Sequence, residues 1–365
     1  MGTIREYVHA KTAPCFYMRK IERWRFLMKR ISISIISIML LTLFCVGCRK
    51  KEDPANGSKE TEVTNKAAES TVQADTAKEN DGISIISSIF PSYDFACQIT
   101  GGVGELTMLL PPGSESHSYE PTPQDTIKIR NCDVFIYVGG ESDSWIDQIL
   151  DSMDISNMKI IKMMDCVETV PEELVDGMEE VEIKHESKEA EYDEHVWTSP
   201  KNAKIIVEKI AEVICQADPE NALKYQLNTE EYLKQLDVLD QEFQEIVDQG
   251  VRKVLIFGDR FPFRYLTDEY GLDYYAAFPG CAAETEPSAQ TVSFLIDKVK
   301  EEKIPVVFHI EMSNEKMADT ICEETGAKKM LFHACHNVSR DDLKNGITYL
   351  ELMENNVKAL KEALQ

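Results

Sequence analysis

From residue 83 onward the chain alternates two patterns. Short runs rich in Val, Ile, Leu and aromatic residues, at 83–89, 106–110, 134–138, 254–257, 274–278, 306–310 and 329–332, have the length and composition of strands. Between them lie longer stretches with apolar residues at helical spacing. Thr122-Pro123 and Ser199-Pro200 each put a capping hydroxyl before a proline at the first helical position, Ser288 opens a further helix, and Gly326 is a stop. Strands separated by helices predict an α/β fold with mostly parallel sheets. The segment 219–249 carries Leu223, Leu227, Tyr232, Leu236, Leu239, Phe243 and Ile246 at mostly three- and four-residue steps. It reads as one helix spanning roughly 45 Å, or as two core helices with a tight break. Glu120-Pro121-Thr122 and Glu286-Pro287-Ser288 each precede a helix and then a strand, an echo that suggests two lobes of related design. The expected fold is α/β: two lobes with mostly parallel sheets joined by one long backbone helix. The boundaries are 83–218 for the N-terminal lobe, 219–250 for the linking helix and 251–365 for the C-terminal lobe.

The pattern before residue 83 differs. Met28-Lys29-Arg30 is a basic start, residues 31–46 form an apolar run, and Val46-Gly47-Cys48 follows. Together they read as a signal peptide at 28–47 ending in a lipobox, with Cys48 as the lipid-modified first residue of the mature protein. A single transmembrane anchor is the other reading, for which the run is short against roughly 20 residues. Residues 1–27 fit neither, and translation is expected to start at Met28. Residues 48–82 hold almost nothing large and apolar, so they are expected to form a flexible tether. These features place the folded part at the extracytoplasmic face of the cell membrane, lipid-anchored.

Composition narrows the function. The 365 residues are 43% hydrophobic and 28% charged, a globular balance. The formal net charge of −25 argues against a nucleic-acid partner, which needs a basic stripe to displace counterions from phosphates. Of ten cysteines, the seven beyond Cys48 show no CxxC pairing and no disulfide-scaffold spacing, and no essential disulfide is expected. Beyond His9 and His185, the histidines are His117, His195, His309, His333 and His336, all in loops or at strand ends. In open α/β sheets ligands bind outside the carboxyl ends of the strands. A lone histidine is more often structural, but several at strand ends in both halves suit a metal site.

An ordered set of segments then becomes specific. It comprises Phe90-Pro91-Ser92-Tyr93-Asp94-Phe95-Ala96, Leu110-Pro111-Pro112-Gly113 running into His117-Ser118-Tyr119-Glu120-Pro121-Thr122-Pro123, His195-Val196-Trp197-Thr198-Ser199-Pro200, Glu284-Thr285-Glu286-Pro287-Ser288 and Leu352-Met353-Glu354-Asn355-Asn356. From residue 83 to the end the chain resembles the zinc- and manganese-type solute-binding proteins of ABC importers. The resemblance implies an ion held between two lobes by four side chains, two per lobe, and delivery to a membrane permease and its ATPase by a lipid-anchored monomer. His117 and His195 match the two N-lobe ligands. The third ligand position falls in residues 258–265, and aligning on Phe263-Arg264-Tyr265 puts Arg260 there. Arginine cannot bind a cation, so Asp259, the nearest competent donor, is expected instead. The final position falls near His336-Asn337, giving His336, with Glu311, His309 and His333 in reserve.

Three histidines and one carboxylate suit Zn²⁺, whereas Mn²⁺ leans toward oxygen donors, so zinc is the expected cargo and manganese the alternative. The acidic segment 176–194, with His185 inside it, reads as a solvated loop or as a metal-gathering one. A zinc-dependent hydrolase is the rival of another class, but no HExxH, Gly-x-Ser-x-Gly or P-loop motif is present, and no enzyme is expected. A surface interaction protein with a purely structural metal is a further rival, one that would unfold on metal removal.

Overall fold

A computed structural model describes residues 82–178, 192–282 and 287–365. The signal peptide, Cys48, the tether up to residue 81, His185 with the central part of the acidic segment, and Glu284 to Glu286 lie outside the described residues. Among the described residues no helix is long and apolar enough to cross a membrane.

Two four-stranded parallel sheets organise the chain. The first comprises β1 (Ser84–Ser87), β2 (Glu105–Met108), β3 (Val134–Tyr137) and β4 (Lys159–Lys162), in the order β2-β1-β3-β4. The second comprises β5 (Val254–Phe261), β6 (Asp273–Pro279), β7 (Val306–His309) and β8 (Lys328–Leu331), in the corresponding order β6-β5-β7-β8. The same order in both sheets gives the sequence echo its structural meaning. In each, the strand order reverses beside the first strand, which opens a crevice at the carboxyl ends. β3, with all four residues buried, reads as a continuous apolar run because helices cover both its faces. β4 was not among the strands expected from sequence. Its Lys-Ile-Ile-Lys buries only Ile161 fully, too little alternation to stand out, and it lies at a sheet edge.

The helices are α1 (Phe90–Thr100), α2 (Pro123–Arg130), α3 (Ser144–Asp151), α4 (Pro200–Ala217), α5 (Ala222–Gln249), α6 (Arg264–Tyr270), α7 (Ala289–Glu302), α8 (Lys316–Thr325), α9 (Arg340–Asn345) and α10 (Tyr349–Leu364). The expected caps form. Thr122 accepts from the Asp125 N–H while Asp125 reaches back to the Thr122 N–H, Ser199 accepts from Asn202 and Ser288 from Thr291. Each such cap contributes about 1 kcal/mol. Gly326, at φ 77°, ends α8 in the left-handed conformation that favours glycine.

The long helix α5 is continuous over 28 residues. Its buried face is Tyr225, Tyr232, Leu236, Leu239, Phe243 and Val247, whereas Leu223 and Leu227 are exposed. The face is phased from Tyr225, whose hydroxyl donates to Asp218 Oδ2 at 2.6 Å and fixes the start of the helix. α5 packs on α1, α4 and α10. The last helix therefore crosses back from the C-terminal lobe: Tyr349 donates its hydroxyl to Trp197 O at 2.7 Å and its N–H to Asp94 Oδ2 at 3.0 Å. One hydrophobic core runs unbroken through both lobes, from Phe95 and Trp197 through Tyr232 and Phe243 to Phe257 and Tyr349. Smaller clusters cover the outer face of each sheet.

Candidate metal centre

Three histidines from three loops meet between the lobes. His117 lies between β2 and α2, His195 just before the 3-10 turn Val196–Thr198 that leads into α4, and His336 between β8 and α9. The ring centroids are 5.7 Å apart for His117 and His195, 5.2 Å for His117 and His336, and 4.6 Å for His195 and His336. Trp197 packs edge-on to both His195 and His336, with its Nε1–H held by Ala334 O at 2.7 Å.

Each Nδ1 faces a carboxylate. His117 Nδ1 is 3.0 Å from Glu115 Oε1, His195 Nδ1 is 2.9 Å from Asp193 Oδ1, and His336 Nδ1 is 3.7 Å from Glu311 Oε1. A neutral imidazole donates from one nitrogen and accepts at the other. With Nδ1–H turned to a carboxylate, each Nε2 is left with its lone pair. All three Nε2 atoms are buried and have no hydrogen-bond partner among the described residues. An unsatisfied buried polar atom costs about 1–3 kcal/mol, so three in one place need a reason, and a shared cation supplies it. The carboxylate–histidine pairs are the usual support of metal-ligating imidazoles. Burial pushes the His195 imidazole well below its ordinary 6.5 and lowers His336 as well, which keeps both in the neutral form that ligates.

The loops are tied directly to one another. Asn337 Nδ2 donates to Pro111 O and Ser114 O, both at 2.8 Å, and the Gly113 N–H donates to Val338 O at 2.9 Å. Tyr265 of the C-terminal lobe donates to Asp193 O at 2.6 Å. Gly280, after β6, lets His195 approach, since a Cβ there would stand 2.8 Å from His195 Cε1. Gly140 makes room for the Glu194 carboxylate in the same way.

Asp259 is not brought into the cluster. The β5–β6 register shifts between Phe257 and Arg260, and this bulge aims the Asp259 carboxylate at the crevice between β5 and β7. There Oδ1 accepts from the Arg260 N–H at 2.8 Å and Oδ2 from the Ile310 N–H at 3.1 Å. Asp143 does the same work in the other sheet, accepting from the Val138 N–H and the Ser88 hydroxyl. The reserves have other partners. Glu311 is buried and accepts from the N–H groups of Ala334 and His336 at 2.7 and 3.0 Å, which anchors the His336 loop. Burial alone would raise its carboxyl, but His333 and His336 hold it down at about 2. His333 Nδ1 accepts from the Cys335 N–H at 2.9 Å, and His309 lies beside Ile310 O and Glu315.

The cross-lobe bond of Arg260 and the nearness of Glu194 and Cys281 were not foreseen from the sequence. Arg260, buried at the expected ligand position, reaches across the lobes to Glu115 with NH1 and NH2 at 3.2 and 3.1 Å. Ligand atoms of Glu194 and Cys281 lie within 4.8 Å of those of His117 and His195. The one available signal for Glu194 was its adjacency to His195; for Cys281 it was a position directly past the end of a strand.

Two α/β lobes with a carboxylate-backed histidine cluster between them define a two-lobed binding protein for a small cation. Residues 85–363 match the family model for the zinc-uptake complex component A, periplasmic (ZnuA), and the chain belongs to that family. It is 30% identical over 296 residues to the zinc-binding lipoprotein AdcA of Streptococcus pneumoniae, covering 80% of this chain and 58% of that protein. It thus spans little more than half the length of these streptococcal relatives. The high-affinity zinc uptake system protein ZnuA of Bacillus subtilis is 29% identical over 302 residues, covering 81% of this chain and 92% of that one. The crystal structure of the Zn(II)-bound ZnuA-like domain of S. pneumoniae AdcA superposes with a TM-score of 0.65 at 29% identity, over 78% of this chain and 99% of that domain. The metal-dependent lipoprotein YcdH of B. subtilis gives 0.66 at 28% identity, over 78% of this chain and 100% of that one. The family is one of substrate-binding proteins, carriers rather than enzymes.

Proposed function

We propose that this chain captures zinc between its lobes as the solute-binding lipoprotein of an ABC importer and delivers it to a permease driven by an ATPase. The observation that carries this reading is the set of three buried Nε2 atoms of His117, His195 and His336, none with a hydrogen-bond partner among the described residues, the first 3.4 Å from Glu194 Oε1. An imidazole-dominated donor set favours zinc over manganese, which prefers oxygen. The relatives named for zinc binding and zinc uptake support the same cargo. Asp259 is assigned the role of bracing the β5–β7 crevice rather than ligation. The lipid on Cys48 and the tether to residue 82 hold the lobes at the extracytoplasmic membrane face.

The test is thermal unfolding of the chelator-stripped protein titrated with Zn²⁺ and, separately, Mn²⁺. A ligand at a hundred times its Kd stabilises by about 2.7 kcal/mol. A saturable rise with Zn²⁺ that His195→Ala abolishes is the expected outcome. Preference for Mn²⁺ would change the cargo, and no response to either ion would remove the function.

A further inference from the structure

The three imidazoles leave a tetrahedral cation one donor short, and the nearby carboxylates each already accept hydrogen bonds. Both Glu115 oxygens are held by the Arg260 guanidinium, and both Glu311 oxygens by backbone N–H groups. Both Asp259 oxygens are likewise taken up by backbone N–H groups. Glu194 accepts the Ser142 hydroxyl on Oε1 at 2.5 Å and the Ser142 N–H on Oε2 at 3.1 Å, and its Oε1 faces His117 Nε2 at 3.4 Å, so it is the competing fourth donor. Cys281, whose thiol also faces Glu172, adds a softer donor. Its N–H donates to Glu172 Oε1 at 3.1 Å, and this turns the residue just past β6, where its Sγ lies within 4.8 Å of ligand atoms of both His117 and His195. Zinc bonds of about 2.3 Å to sulfur and 2.0–2.1 Å to nitrogen would put such atoms about 3.5 Å apart, so His117, His195 and Cys281 need only a small closure among themselves.

The strand register explains why the donor sits here. Arg260 at the end of β5 pairs with Phe278 of β6, and its NH1 donates to Ala282 O at 3.3 Å. The residue at the implied ligand position, at the end of β5, and Cys281, just past the end of β6, are thus neighbours. We propose that Cys281 supplies the fourth donor as a thiolate, replacing the ligand lost to Arg260 and keeping two donors per lobe. This rests on the zinc-carrier reading and deepens it. The thiol proton leaves to solvent as the metal–sulfur bond forms, and the soft donor biases the site toward zinc and against manganese.

X-ray absorption of the zinc-loaded full chain at one equivalent of metal tests it, together with competition titrations of the wild type, Cys281→Ala and Cys281→Ser. One sulfur scatterer at about 2.3 Å beside nitrogens at 2.0–2.1 Å is expected in the wild type and absent in both variants. Zinc affinity should fall at least tenfold in Cys281→Ala, about the minimum loss on removing even a supporting partner of a metal ligand. Zinc bound through nitrogen and oxygen alone would overturn the Cys281 assignment and leave the carrier intact. So would a sulfur signal that persists in both variants. No saturable zinc binding by the wild type would overturn both readings. The wild-type spectrum decides even if a variant fails to fold.

Discussion

Arg260 is a buried cation a few ångströms from a site that should receive another cation. What makes this tolerable is the bidentate bond to Glu115, whose Oε1 also faces His117 Nδ1. Burial pulls the Glu115 carboxyl up, but His117 and Arg260 together hold it well below the usual carboxylate range. Arg260→Ala should destabilise the protein by about 3 kcal/mol in urea unfolding, because it strands a largely buried carboxylate. Adding Glu115→Gln should recover part of that loss; a second, additive loss would show that the two side chains do not act as a pair. At this scale the sequence was legible where chemistry and position coincide. His117 and His336 stand in motifs after strands and His195 in one before a capped helix, and the fold gathers them. Asp259 and Arg260 were not legible, because a bulge in β5 reverses which side chain faces the crevice and no alternation of residue types announces it. Cys281 was hidden by its chemistry, since a cysteine in an apolar setting reads as a small hydrophobe.

At the level of elements, strands and capped helices were readable because local chemistry determines them. Edge strand β4 and the rotational phase of α5 were not, since both are decided by what packs against them. The caps carry a pH signature. Asp125, held by the Thr122 hydroxyl and N–H, Lys128 and Tyr119 against the opposing effect of burial, has its carboxyl lowered from 3.8 to about 2. A depressed folded-state pKa means that its stabilisation is complete above 3.8 and is lost as pH falls through 2. Asp125→Asn should flatten the acid limb of stability against pH in that window, and an unchanged limb would assign acid lability to other carboxylates. The paired loops at residues 111–114 and 336–338 make a second case. Asn337→Ala removes both side-chain bonds to Pro111 O and Ser114 O. It should cost about 2 kcal/mol and weaken zinc binding, because the loops of His117 and His336 lose their common tie. Normal affinity in a destabilised variant would mean that the histidines are positioned without it.

For the whole molecule, the question is how an ion enters a site buried between two lobes. A hinged protein would open by rotating one lobe on the other. Here the core is continuous from β1 through α5 to α10, and Tyr349, on the last helix, is hydrogen-bonded to Trp197 and Asp94 of the N-terminal half. Rotation would have to break that core, whereas the loops around His117 and His336 can move while it stays packed. A packed core has discrete arrangements and does not deform smoothly. Removing the metal should therefore leave the radius of gyration from solution X-ray scattering and the far-ultraviolet circular dichroism unchanged. Amide exchange should accelerate in residues 111–117 and 334–338 and stay slow in α5 and α10. A marked expansion of the stripped protein would instead place the motion in the lobes and make α5 a hinge. Loss of helical signal would favour a structural metal, since a carrier has to survive as a folded empty form.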